Sequence, residues 1–159
     1  MKLFDVVHLD HHRAKKGKLL MGDSLVGKIT ATLVFIAPEE AADLLRGFFD
    51  DHKGFMVDKS KKEGVLKLVH YYVSEGPEYG KRSPPDFKEL DPFFFGEYPE
   101  KTGRILFVLN EVYENYEGLE HHYIETGLPA WDVMKTLMKD NDIEFYNFSH
   151  IPIRQSLWD

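Results

Sequence analysis

The sequence has no cysteine, which excludes disulfides, thiolate zinc sites, iron–sulfur clusters and cysteine nucleophiles. It has no excess of positive charge: 20 Lys and Arg stand against 27 Asp and Glu, for a net charge of −7. A general nucleic-acid binder needs a basic face to neutralise phosphates, so neither nucleic acid nor an anionic membrane surface is an expected partner. It also lacks long apolar runs. No stretch approaches the ~18 apolar residues of a membrane span. The opening "MKLFDVVHLDHHR" has no apolar run of signal-peptide length, so a cytoplasmic protein is expected.

What is present is a soluble-protein composition rich in aromatics, with 12 Phe and 8 Tyr among 159 residues. That length predicts one domain able to bury about 70% of the surface its unfolded chain exposes. Residues 28–35, "KITATLVF", alternate like a half-buried strand, with Ile29, Ala31, Leu33 and Phe35 on one face. A helix is expected next, begun near Pro38 with Glu39 and Glu40 in its first turn. Its apolar stripe reads Ala41, Leu44, Leu45, Phe48 and Phe49, and Gly54 supplies a stop. Residues 65–76 read as a β-branched and aromatic strand. Residues 76–102 hold five of the eight prolines and the run Phe93 to Phe95, and are read as a long insertion between strands.

The pattern then repeats. Residues 103–113 form a strand, with Ile105, Phe107, Leu109, Glu111 and Tyr113 on one face. A helix follows, with Leu119, Tyr123, Ile124, Leu128, Trp131, Leu137 and Met138 as expected core. "TGLP" breaks it, because Pro129 suits the start of a second helical piece. Residues 143–153 close the domain as a strand. The order β-α-β, insertion, β-α-β predicts an α+β, ferredoxin-like βαββαβ antiparallel sheet with helices on one face. The expected organisation is an N-terminal extension at 1–24 and a single domain at 25–159. Such a sheet leaves its other face bare, so a homodimer through sheet packing is expected.

Four groups of residues suggest chemistry. His8 to Arg13, "HLDHHR", has metal-ligating types but no ligand spacing, and is read as surface; no metal or other cofactor is expected. "GDSLVGK", Gly22 to Lys28, resembles a phosphate loop but precedes a strand, and is rejected. His121 and His122 sit about 100° apart on a helix, with Glu125 in helical reach of either. They are either a surface pair or a pair in which His122 lines a pocket as base or donor. Glu111 is either beyond the apolar end of its strand, in water, or in a pocket with a shifted pKa. His52 is expected to complement the dipole at its helix end, and His70 to be a satisfied sheet histidine.

The stretch "RILFVLNEVYENYEGLEHHY" resembles the third strand and second helix of the antibiotic-biosynthesis-monooxygenase-like family. Its members are ferredoxin-like domains that pair as dimeric α/β barrels. The shared pattern is an apolar strand ending in Glu111-Val112-Tyr113, then Leu119, then His122. The resemblance implies a cofactor-independent monooxygenase acting on a small aromatic or quinol-type substrate. It assigns His122 and Glu111 as catalytic, and Tyr113, Tyr123 and Trp131 as substrate-binding. Tyr113 or Tyr116 stands where haem-degrading relatives carry tryptophan, which argues against haem. The alternative is a non-catalytic dimeric module holding a small hydrophobic ligand.

Overall fold

The computed structural model describes residues 24–80 and 100–156, and at 126–129 the backbone. The features read at 1–23 and 81–99, His8 to Arg13 and Phe93 to Phe95 included, lie outside the described residues, as does the Leu128 side chain. The described elements are β1 (Ile29–Pro38), α1 (Ala42–Lys59), β2 (Leu68–Tyr79), β3 (Lys101–Tyr113), α2 (Tyr116–His122), α3 (Leu128–Asp140) and β4 (Glu144–Pro152). A 3-10 turn, Glu39–Ala41, precedes α1, and a π-helical turn, Tyr123–Gly127, joins α2 to α3. The four strands form one sheet in the order β2-β3-β1-β4, each neighbour antiparallel. The architecture is α+β.

Strand alternation sets the two faces of this sheet. Ile29, Ala31, Leu33, Phe35 and Ala37 of β1 stand opposite Tyr113, Glu111, Leu109, Phe107 and Ile105 of β3. Phe35, Ala37, Phe107 and Leu109 join Leu45 and Phe49 of α1 and Met134 of α3 in one buried cluster, so α1 and α3 cover the same face. Aromatic edges fill it: Phe35 meets Phe49 at 5.4 Å between ring centres, and Phe49 meets Phe107 at 5.6 Å. A smaller cluster, Ile29, Ala31, Tyr113 and Leu119, seats α2. Its Gly118 makes a close approach, since a Cβ there would lie 3.3 Å from the Leu66 carbonyl, a tight contact. At the other end of the sheet Arg104 ties three strands together, reaching Glu144 at 2.7 Å and the Ile36 carbonyl at 2.8 Å.

Several expected boundaries move. Gly54 does not stop α1, which continues to Lys59; a single helix-interior glycine costs only about 1 kcal/mol, less than the burial of Met56 returns. Leu44 belongs to the outer face, 48% exposed, and the inner stripe is instead Leu45, Phe49 and Met56. Val65 is exposed ahead of β2. The ends of the expected insertion at 76–102 are strand: Gly76 to Tyr79 pair with β3, and Pro77 fits because β2 is an edge strand. Ile124 is exposed in the π turn, and Met134 supplies the core contact.

Leu45 is fully buried and Leu44 is its exposed neighbour. Leu45→Ala is expected to lower unfolding stability by about 2–5 kcal/mol and Leu44→Ala by under about 0.5 kcal/mol, read from urea unfolding curves.

Candidate functional site

Glu111 reaches the interior because the β3 alternation that buries Phe107 and Leu109 continues for one more polar step. The register places it between Ala31 on one side and Tyr71 on the other. The strand alternation turns its carboxylate toward the helices. It is only 1% exposed.

His52 arrives from α1. Leu45, Phe49, His52 and Met56 follow the spacing of one helical face, and His52 is the polar member of that buried stripe. Phe48 and Phe55 flank its ring in nearly parallel planes. Its Nδ1 lies 3.0 Å from the Tyr71 hydroxyl, which leaves Nε2 on the side of Glu111. His122 arrives from α2, whose start is fixed by Asn115 accepting a hydrogen bond from the Gly118 amide at 3.0 Å. Leu119 is buried, and His122, three residues on, takes the same side; His121 turns to a small crevice behind.

The three side chains converge. Glu111 Oε1 lies 4.0 Å from His52 Nε2, and Oε2 lies 3.9 Å from His122 Nε2. The Tyr113 hydroxyl donates to Oε2 at 3.0 Å. Oε1, equally buried, has no hydrogen-bond partner among the described residues. Glu111, His52 and His122 belong, with Asp51, Tyr123 and Asn147, to the polar part of a cavity of about 540 Å³ between the helices and the sheet. Its remaining wall is largely apolar: Leu33, Phe35 and Leu109 from the sheet, Phe48 and Phe55 from α1, and Trp131 and Met134 from α3.

Burial sets the electrostatics. It pushes the Glu111 carboxyl up from 4.5 to about 7, against the opposing pull of the Tyr113 hydrogen bond. It lowers His52 to about 4; for His122 burial, together with the neighbouring His52 and His121, lowers the value to about 4. Burial also raises Tyr71, Tyr113 and Tyr123. Near neutrality the site therefore holds two uncharged imidazoles and a carboxyl poised between its two forms. Such a set can accept a proton, donate a hydrogen bond, or ligate a cation.

Of the residues expected from sequence, Glu111 and His122 meet here, and Tyr123 and Trp131 line the same cavity. Tyr113 lies behind Glu111 as its donor and borders the small rear crevice. Glu125 is exposed in the π turn, and His70 is exposed on the opposite sheet face. His52 does not complement a helix end; it lies inside α1 and faces Glu111. Its place on the apolar stripe was the available signal, hidden by ending the helix at Gly54. Tyr71 was the second omission, and only strand register reveals it. No family model, curated protein or solved structure matches this chain.

The raised Glu111 contributes stability that is whole below about pH 4.5 and is lost as pH rises through about 7. The lowered histidines act oppositely: their contribution is present above about 6.5 and lost as pH falls through about 4. Glu111→Gln isolates the first effect. At about pH 8 it is expected to raise unfolding stability by roughly 1–3 kcal/mol, because no buried charge remains. Tyr113→Phe removes the donor and is expected to lower it by about 1–3 kcal/mol. Denaturant curves on both variants check the pair.

Proposed function

We propose that this chain takes a small, hydroxyl-bearing aromatic molecule into the cavity and accepts its hydroxyl proton at Glu111 or His122. One observation carries this reading: a buried carboxylate oxygen without a hydrogen-bond partner among the described residues, Glu111 Oε1, borders a largely aromatic and aliphatic cavity. An apolar cavity with few convergent polar groups and shifted pKa values suits such a ligand. The hydroxyl would donate to Oε1 while the ring packs between Trp131 and the Phe48–Phe55 side of α1. The cavity volume suits one or two fused rings.

Removing the hydroxyl proton leaves an electron-rich anion, the form in which quinol-type substrates react with dioxygen directly. For a substrate with a ring methylene, the reaction closes with dioxygen alone: the CH2 becomes C=O, and the second oxygen leaves as water. This is the cofactor-independent monooxygenase chemistry that the resemblance around Glu111 and His122 implies. His122 would steady the developing charge as a hydrogen-bond donor, and Trp131 and Tyr123 would hold the ring. The second reading, a hydrophobic-ligand module without catalysis, uses the same cavity and needs no proton transfer.

The strand order β2-β3-β1-β4 with parallel-related β1 and β2 is read as ferredoxin-like. We further propose that two copies pair through their open sheet faces as a dimeric α/β barrel. Tyr72, Tyr146, Phe148 and Ile151 are exposed on that face, beside the half-buried Val34, Ile36 and Val108. Some polar groups of that face are paired within the sheet, Thr32 to Asn110 at 2.9 Å and Tyr146 to Glu144 at 2.8 Å.

Two measurements test these readings. Titration of Trp131 fluorescence with hydroxyaromatics and their deoxygenated parents is expected to favour the hydroxylated forms. Glu111→Gln is expected to cut that preference by roughly tenfold or more, the value of a hydrogen bond to a charged acceptor. Equal binding of both ligand series, in wild type and variant alike, would leave only the hydrophobic module. Light scattering is expected to give twice the chain mass, and Phe148→Lys with Tyr146→Lys to return it to the mass of one chain.

A further inference from the structure

We propose that His52, Glu111 and His122 form a binding site for one divalent transition-metal cation, with its open positions facing the cavity. Each residue offers one ligand atom, and the three atoms lie within 4.8 Å of one another. The donor set, two imidazoles and one carboxylate, is the type that holds Zn²⁺, Fe²⁺ or Co²⁺ on one side and leaves the other open. It is a poor set for Ca²⁺ or Mg²⁺, which take oxygen ligands.

Three further observations point the same way. Glu111 Oε1 is buried with no hydrogen-bond partner among the described residues, the state of a ligand atom rather than of a structural carboxylate. Among the described residues lining the cavity there is no Lys or Arg, so none of these side chains compensates the carboxylate with a positive charge. His52 is oriented from behind. Its Nδ1 shares a hydrogen bond with the Tyr71 hydroxyl at 3.0 Å; in the tautomer that carries the proton on Nδ1, Nε2 presents a lone pair toward Glu111, the arrangement that metal-bound histidines commonly have. Ligand distances of about 2.0–2.2 Å require the three ligand atoms, now within 4.8 Å of one another, to draw closer together around the cation.

The inference shares the unpartnered Oε1 with the hydroxyaromatic reading but needs no aromatic occupant, since the donor set of the three residues carries it. At Oε1 a cation and a transferred proton are alternatives. With the cation in place Glu111 is a ligand, and a hydroxyl or carbonyl oxygen of the cavity's occupant would meet the cation in its stead.

The test uses the full chain, treated with EDTA and titrated with Zn²⁺ by calorimetry and with Co²⁺ by visible absorption. His8, His11 and His12 are replaced by alanine in a parallel sample, to remove the N-terminal histidines as a rival site. The expected result is one cation per chain at micromolar Kd or tighter in both samples, with visible Co²⁺ bands of a low-coordinate nitrogen–oxygen site. Glu111→Gln, which keeps the side-chain shape, and His52→Ala are each expected to weaken binding at least tenfold. Tyr71→Phe, a positioning change, is expected to weaken it roughly 10–100-fold with the fold intact by circular dichroism. Uptake that disappears with the N-terminal histidines, or that ignores Glu111→Gln and Tyr71→Phe, overturns the proposal, as does no uptake at all. Hydroxyaromatic binding to the EDTA-treated chain without cation uptake overturns this inference and keeps the earlier one. Cation uptake without hydroxyaromatic binding does the reverse.

Discussion

A carboxylate that is 1% exposed sets the terms for everything around it. Removing a charge of that size from water costs several kcal/mol unless something compensates. In this chain the compensation is thin. One hydroxyl, that of Tyr113, donates to one oxygen, and two imidazoles stand about 4 Å away. The ordinary solution, an arginine or lysine alongside, is missing among the described residues of the cavity wall. The sheet tolerates Glu111 because a large aromatic cluster, built on Phe35, Phe49 and Phe107, holds the neighbouring part of the structure firmly.

The cavity follows from the same arrangement. Tight packing over Glu111 would strand the carboxylate wholly, whereas the aromatic rings of α1 and α3 stop short and leave space above it. The floor is polar and the walls are apolar, so an occupant is selected at one end by hydrogen bonding or coordination and elsewhere by shape. The π turn at Tyr123–Gly127 begins directly after His122 and separates the two helical pieces that carry His122 and Trp131. Such interruptions are often found at functional positions, because they re-aim side chains that a regular helix would send elsewhere.

Legibility in the sequence differed by element. The alternation in β1 and β3 was strong enough to identify which residues face the helices, and the structure places Ile29, Ala31, Phe35, Phe107 and Leu109 accordingly. The helix after β1 was visible but its length was not, since Gly54 is a local stop signal that tertiary burial of Met56 overrides. That misjudged end carried a cost, because it moved His52 from a buried stripe to a helix terminus. At the other end of the sheet, the prolines near 76–79 read as loop, while an edge position lets Pro77 remain in a strand.

By itself the sequence left His122 open between a surface pair and a pocket, but it determined the α+β alternation and the strand face that Glu111 shares with Ile105, Phe107 and Leu109. These depend on periods of two and 3.6 residues, which are local properties of the backbone. Only the tertiary structure decided that Glu111 is dry, that Tyr71 stands beside it, and that His52 and His122 reach it from two helices far apart in the chain. Those facts depend on strand register and on how far each helix extends before packing stops it. Neither is written in any short stretch of residues, because each is settled by the burial of the whole core at once.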